Sequence, residues 1–141
     1  MTTCEIRRKK IYLTARACVG RPFCHQGRRP EQGFDCVGLI LYVAGEQGVG
    51  GFDRLDYDKT PVRDAISRHA AAAGFRRHPL ADMKPGDALI LKIGRRLEHA
   101  AILSDRGVIH ACEKYGRVVE HRLDEAWRRR IMAAYAFPGL S

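Results

Sequence analysis

From residue 86 onward the chain lays down β-type apolar runs in quick succession: Ala88–Ile93, Leu97–Leu103, Val108–Cys112, Arg117–Leu123 and Ile131–Phe137. The Pro85-Gly86 turn opens the series, and Gly94, Asp105–Gly107 and Gly116 break it. Most of these connections are far too short to bring a strand back parallel to its neighbour, which takes a crossover of about a dozen residues, so pairing must be antiparallel. The pattern predicts one meander of four to five or more strands, with Asp124–Arg130 forming a short helix before the last run.

The first half has a different texture. Ile6, Ile11, Tyr12, Ala15, Cys18 and Val19 fall near helical spacing, and Gly20 with Pro22 supplies a stop. Arg21–Gly33 reads as a loop. Asp35 is then placed to cap a helix that begins at Cys36 and runs through Leu39, Ile40 and Val43 towards Gly45 or Gly48. Gly48–Lys59 reads as a loop, and Pro61 opens an alanine-rich third helix to about Ala73. Helices first and neighbouring strands afterwards is the α+β order, with the Cys36 helix expected to pack across the sheet.

A chain of 141 residues suits one domain spanning 1–141. Its longest apolar stretch, Val37–Ala44, falls well short of the roughly 18 residues a membrane helix needs, so no membrane span is expected. The basic cluster Arg7–Lys10 is followed by apolar residues cut at Arg16, which is no signal-peptide core, so the expectation is synthesis in the cytoplasm without a signal peptide. Lys and Arg number 25 against 16 Asp and Glu, a formal charge of +9 that draws the chain to polyanions. The basic residues come as scattered pairs and triplets without interleaved aromatics, which argues against specific nucleic-acid binding. Five cysteines without a CxxC pair leave at least one thiol free.

Cys36 is the residue on which chemistry can rest. A cysteine in the first turn of a helix meets outward-pointing N–H groups and the positive end of the dipole, which favour its thiolate. A nucleophile of this kind needs a base, and the Leu97–Cys112 hairpin supplies two histidines. If Asp105 and Arg106 form a two-residue tip, position i faces position 211 − i, which makes His99 and His110 diagonal neighbours on one face, about 7–8 Å apart at the backbone. Thiolate, imidazole and a third group that fixes the imidazole tautomer are the relay that acyl transfer requires. A zinc site built from Cys36, His99, His110 and Cys112 is the rival use, but no HExxH or paired CxxC accompanies these residues.

The stretches Gly33-Phe34-Asp35-Cys36-Val37-Gly38-Leu39-Ile40, Met83-Lys84-Pro85-Gly86-Asp87-Ala88-Leu89-Ile90, His99–Leu103 and Val108–Ala111 together resemble the NlpC-type papain-like cysteine peptidases of bacterial cell walls. The order, cysteine before histidine, is that of the standard members. Gly20-Arg21-Pro22-Phe23, His25-Gln26-Gly27 and the ending from Trp127 to Gly139 are similar to the phage tail-associated branch, that of the lambda-type tail assembly peptidases. The resemblance implies a papain-like α+β domain that needs no cofactor or metal. It implies hydrolysis of peptidoglycan stem peptides, typically between D-glutamate and the diamino acid, by a protein associated with the virion or tail tip and its tail-tip partners. Residue by residue it implies Cys36 as nucleophile, His99 as base, His110 as the orienting third residue, and Asp35 as a ligand for the substrate's free amine, with His25 able to line the cleft. Phe23 and Val37 stand where the family commonly has Tyr and Ser, so two hydroxyls are missing from the substrate side. The same trio would also serve an amidase or acyltransferase acting on another amide or lipid. In a further reading the chain is a tail structural protein with a vestigial site.

Overall fold

A computed structural model describes residues 2–48, 65–94 and 97–140 of the chain. Helix α1 spans Thr3–Arg16 and starts on a Thr2 side-chain cap that accepts from the Glu5 amide. Two short strands, β1 (Arg28–Arg29) and β2 (Gly33–Phe34), pair within the stretch expected to be plain loop. Helix α2 follows at Cys36–Glu46, and α3 occupies Ala65–Ala72. The expected Pro61 start of that third helix, and most of the Gly48–Lys59 loop, lie outside the described residues.

The remaining strands are β3 (Arg76–His78), β4 (Ala88–Ile93), β5 (Leu97–Leu103), β6 (Val108–Cys112), β7 (Arg117–His121) and β8 (Ile131–Ala136), with helix α4 (Glu125–Arg128) between the last two. All pairings among these six strands are antiparallel, in the order β3-β8-β4-β5-β6-β7. The sheet is therefore not the single meander expected: β4 to β7 follow one another, but β8 returns past them and inserts between β3 and β4. The reason lies in β4. Ala88, Leu89, Ile90 and Leu91 are all buried, so this strand has apolar neighbours on both faces and its backbone must be paired along both edges. β8 fills the second edge, with a bulge at Met132 where the register shifts between Ile90 and Leu91.

Alternation along the strands divides the interior. Ile90, Ala100, Ile102, Ile109, Ala111 and Val118 face α1 and α2, packing with Ile11, Ala15, Leu39 and Val43. Leu89, Leu91, Ala101, Leu103, Val108 and Ala134 form the opposite side, covered by Leu123, Trp127 and Ile131. Polar ties lock the first helix to this frame. Arg8 is buried against Asp87 at 2.6 Å, and Arg16 holds Glu120 at 2.8 and 2.9 Å as well as Asp105 at the hairpin tip. Breaking the buried Arg8–Asp87 pair on one side would strand the other charge. Glu98 is only 3 % exposed and accepts from the Ile66 amide at 2.9 Å, so it anchors the first turn of α3.

The start of α2 is fixed by close backbone approach. A Cβ on Gly38 would run into the Gly27 carbonyl oxygen, whereas one on Gly45, exposed on the same helix, would meet nothing within 4 Å. Gly38→Ala should therefore destabilise the protein by about 1–3 kcal/mol through forced overpacking. Gly45→Ala should stabilise it by up to about 1 kcal/mol through helix propensity. Urea unfolding of the two variants beside the parent checks the opposite signs.

Candidate active site

Asp35 sits at the entrance to α2 in extended conformation, and its Oδ1 accepts the Gly38 amide at 2.7 Å as a helix cap. Its Oδ2 accepts the Gln26 amide at 2.8 Å, and the Arg28 guanidinium lies 3.4 Å from Oδ1. Gln26 adopts φ +61 to make this contact, a left-handed conformation uncommon for a residue with a side chain. Both carboxylate oxygens are thus committed to the loop and the helix, and Asp35 is only 5 % exposed. Binding a substrate amine here would require exchanging one of these partners.

Cys36 follows as the first helical residue and is 9 % exposed. The amides of Ala100, Val37 and Cys36 itself favour the thiolate, as expected at a helix start, but burial dominates and pushes the thiol up to about 12. The expectation of a thiolate favoured in the resting protein is thereby corrected, because desolvation outweighs the helix N-terminus. Cys36 and Ala100 share one core cluster, which sets the start of α2 beside β5 next to His99.

The hairpin has the expected register. Ile102 faces Ile109, Leu103 faces Val108, and the Ser104 amide donates to the Gly107 carbonyl around the Asp105–Arg106 tip. His99 and His110 share one sheet face, and their rings meet close to right angles with Nε2 of His99 2.7 Å from Nδ1 of His110. Burial holds His99 down at about 4, and burial together with the two neighbouring histidines holds His110 at about 3, so both are neutral at pH 7.

The structure adds a residue absent from the sequence-derived site. His121 places Nε2 2.9 Å from Nε2 of His110, and its Nδ1 lies 2.9 Å from the Arg122 carbonyl oxygen. Trp127 packs on both rings, with centroids 5.3 Å from His110 and 4.7 Å from His121. A signal existed: each step from His99 to His110 to His121 is eleven residues, and the same diagonal arithmetic applies to two successive hairpins.

The other expected site residues take lesser places. Phe23 and Val37 are half-buried against the helix-side core that contains Cys36. The Phe23 amide donates to the Gly116 carbonyl, which ties the loop to the β6–β7 turn. His25 is exposed on the loop. Cys112 is buried at the end of β6, and among the described residues no three His, Cys, Asp or Glu side chains are grouped as a metal ion would need.

A cysteine opening a helix that lies on an antiparallel sheet, with the adjoining strand supplying a histidine, defines a small papain-like α+β protein. The chain belongs to the NlpC/P60 family, whose model matches residues 20–136. Among solved structures it is similar to the NlpC/p60 domain of the peptidoglycan hydrolase SagA, with 25% identity, a TM-score of 0.63 and coverage of 92% of this chain and 97% of that one. It is also similar to the P60 domain of an antigen from M. avium subspecies paratuberculosis, with 14% identity, a TM-score of 0.67 and 99% of both chains covered. A third likeness, described as similar to a lipoprotein of the NLP/P60 family, is from Staphylococcus aureus subsp. aureus Mu50, with 18% identity and a TM-score of 0.67; 95% of this chain matches, but it spans only 42% of that protein. No curated protein matches the chain.

Two outcomes follow from the protonation states. Cys36 should be alkylated slowly by iodoacetamide at neutral pH, after the partly exposed Cys4 and Cys24, with a rate that climbs about tenfold per pH unit towards alkali. Peptide mapping by mass spectrometry measures this, and a rate at pH 6 equal to that at pH 9 would instead indicate a resting thiolate–imidazolium pair. The histidine shifts also act on stability. Both are depressed in the folded protein from 6.5, so the unfolded chain takes up protons first, and stability should fall as pH drops from about 6.5 to about 3. Thermal unfolding across that range should show the slope, and His110→Asn should reduce it.

Proposed function

We propose that this protein is a cysteine endopeptidase that hydrolyses peptidoglycan stem peptides, with Cys36 as nucleophile, His99 as general base and His110 as the residue that orients it. One observation carries the reading. Cys36 packs in one core with Ala100 of β5, whose amide favours the thiolate, while Nε2 of the adjacent His99 is occupied by His110, which leaves Nδ1 as the ring nitrogen for the thiol. Family membership and the 25% identity to a peptidoglycan hydrolase domain support the substrate class.

The protonation states suit a general-base route. As the thiol attacks the amide carbonyl, its proton passes to His99 Nδ1, and the Cys36 backbone N–H at the helix start faces the developing oxyanion. His99 then returns that proton to the leaving amine. Water, deprotonated by the same nitrogen, hydrolyses the thioester and restores the thiol. Neutral imidazole is needed at the outset, and the burial of His99 supplies it.

The bond we assign is that between D-glutamate and the diamino acid. The setting we assign is a phage or prophage tail tip, in contact with tail proteins and acting on the wall after synthesis in the cytoplasm; the Gly20–Phe23, His25–Gly27 and Trp127–Gly139 resemblances support this setting. The substrate side is short of polar groups. Phe23 and Val37 lack the hydroxyls common in the family, and the Asp35 carboxylate is held by Gly38, Gln26 and Arg28. A hydrogen bond to a charged group is worth about 1.5–3 kcal/mol, roughly 10-fold to 150-fold in selectivity, so this enzyme should grip a free L-alanine amine weakly and accept stems still joined to glycan.

The deciding experiment digests purified peptidoglycan and identifies fragments by mass. Stem peptides cut after D-glutamate are expected from the parent protein. None are expected from Cys36→Ala, His99→Ala should lose about 10²- to 10⁴-fold, and His110→Asn should fall between that and the parent. Undiminished cleavage by Cys36→Ala would end the mechanism, and an inert parent protein would favour a structural role at the tail. Comparing kcat/KM on a free tetrapeptide and on a muropeptide with its L-alanine amide-linked tests the specificity. Values within about tenfold are expected, and a preference for the free amine of a hundredfold or more would contradict this account of Phe23 and Val37.

A further inference from the structure

We propose that His121 is a positioning residue that sets the direction of the hydrogen bonds running through His110 to His99, and thereby keeps the lone pair of His99 on Nδ1, the ring nitrogen that His110 does not engage. The inference rests on the assignment of His99 as the base.

The argument follows donors and acceptors along the chain. The Arg122 carbonyl can only accept, so Nδ1 of His121, 2.9 Å away, must carry a hydrogen. With Nδ1 holding the ring's hydrogen, Nε2 of His121 accepts, and Nε2 of His110, 2.9 Å from it, is the donor. Neutral His110 is left with a bare Nδ1, to which Nε2 of His99 donates across 2.7 Å. His99 therefore holds its hydrogen on Nε2 and its lone pair on Nδ1, the arrangement that accepting a thiol proton demands. Without His121 the order has no origin. A neutral His110 could equally donate from Nδ1, which would make Nε2 of His99 the acceptor and put a hydrogen on Nδ1, where it blocks the thiol.

Place as well as chemistry marks His121. It lies on β7 one diagonal step from His110, as His110 lies from His99, and Trp127 covers both rings. His110 has no exposed surface, so water cannot replace the missing acceptor without opening the packing. Burial and the neighbouring histidines that keep His110 neutral make the direction of its two bonds depend on its partners alone.

Two-bond proton–nitrogen spectra of the ¹⁵N-labelled protein at pH 7 read each tautomer without substrate. His99 and His110 should appear with hydrogen on Nε2, and His121 with hydrogen on Nδ1. His121→Phe keeps an aromatic ring against Trp127 but removes the acceptor; His110 and His99 should shift to mixed tautomers, and kcat on a stem peptide should fall tenfold or more at unchanged KM. His121→Gln, whose carbonyl can accept from His110, should restore both the spectrum and most of kcat. Should the Phe variant fail to fold, the parent spectrum and the Gln variant still decide. Hydrogen on Nε2 of His121 in the parent, unaltered His99 and His110 tautomers in a folded Phe variant, or mixed tautomers in the Gln variant overturns the proposal. If the parent shows the stated tautomers yet cleaves no stem peptide, it is the peptidase reading that fails; if it cleaves with the tautomers reversed, that reading stands and this one falls.

Discussion

The carboxylate of Asp35 is the joint on which the site is built. One side chain caps α2 through the Gly38 amide, pulls Gln26 into a left-handed turn and draws Arg28 inward. Each contact alone is a modest contribution of about 1 kcal/mol or somewhat more for a charged acceptor. Together they fix where a helix begins relative to the loop before it, and Cys36 is the next residue. The absence of a Cβ at Gly38 lets the Gly27 carbonyl approach closely enough for that joint to close. Position is thus set by polar contacts at the helix entrance, while the apolar residues behind, Leu39, Ile40 and Val43, supply the adhesion that holds the helix on the sheet.

The sulfur is delivered into a dry place, and this decides its resting chemistry. Helix N-termini lower a cysteine's pKa where water can reach it; here burial prevails over three favourable amides. Both histidines nearest to it in the relay are held neutral by the same cause. Cys36, His99 and His110 therefore rest uncharged, and charge separation is deferred until an amide occupies the cleft, where it can be shared with the developing oxyanion. A low-dielectric site makes that later interaction stronger than it would be in water.

What the sequence revealed and what it hid divide along one line: local patterns were legible, and long-range returns were not. The two-residue tip at Asp105–Arg106 fixes the β5–β6 register by turn geometry alone, so the pairing of His99 with His110 could be worked out in advance. The Asp35 cap and the start of α2 at Cys36 were legible for the same reason, since a cap acts within three residues. The insertion of β8 beside β4 was not, because short loops specify sequential neighbours and say nothing about which strand fills a vacant edge. The burial of Glu98 was not legible, because strand alternation gives a side but not what covers it, and α3 covers that side. His121 was legible in its eleven-residue spacing, but only with the β6–β7 register in hand, and the sequence reading worked out the register of the first hairpin alone.

The strand order also carries a consequence for how the molecule comes into being. β4 to β7 can assemble from neighbours in sequence, but the strand that completes the sheet's second half, β8, is built from Ile131–Ala136. On the ribosome, everything up to α4 can emerge and collapse while one long apolar edge of β4 and all of β3 still wait for a partner. A nascent chain in that condition presents unpaired backbone beside Leu89 and Leu91, an invitation to other chains. Folding of this half of the sheet therefore waits on the synthesis of Ile131–Ala136, which closes the open edge of β4 and gives β3 its partner.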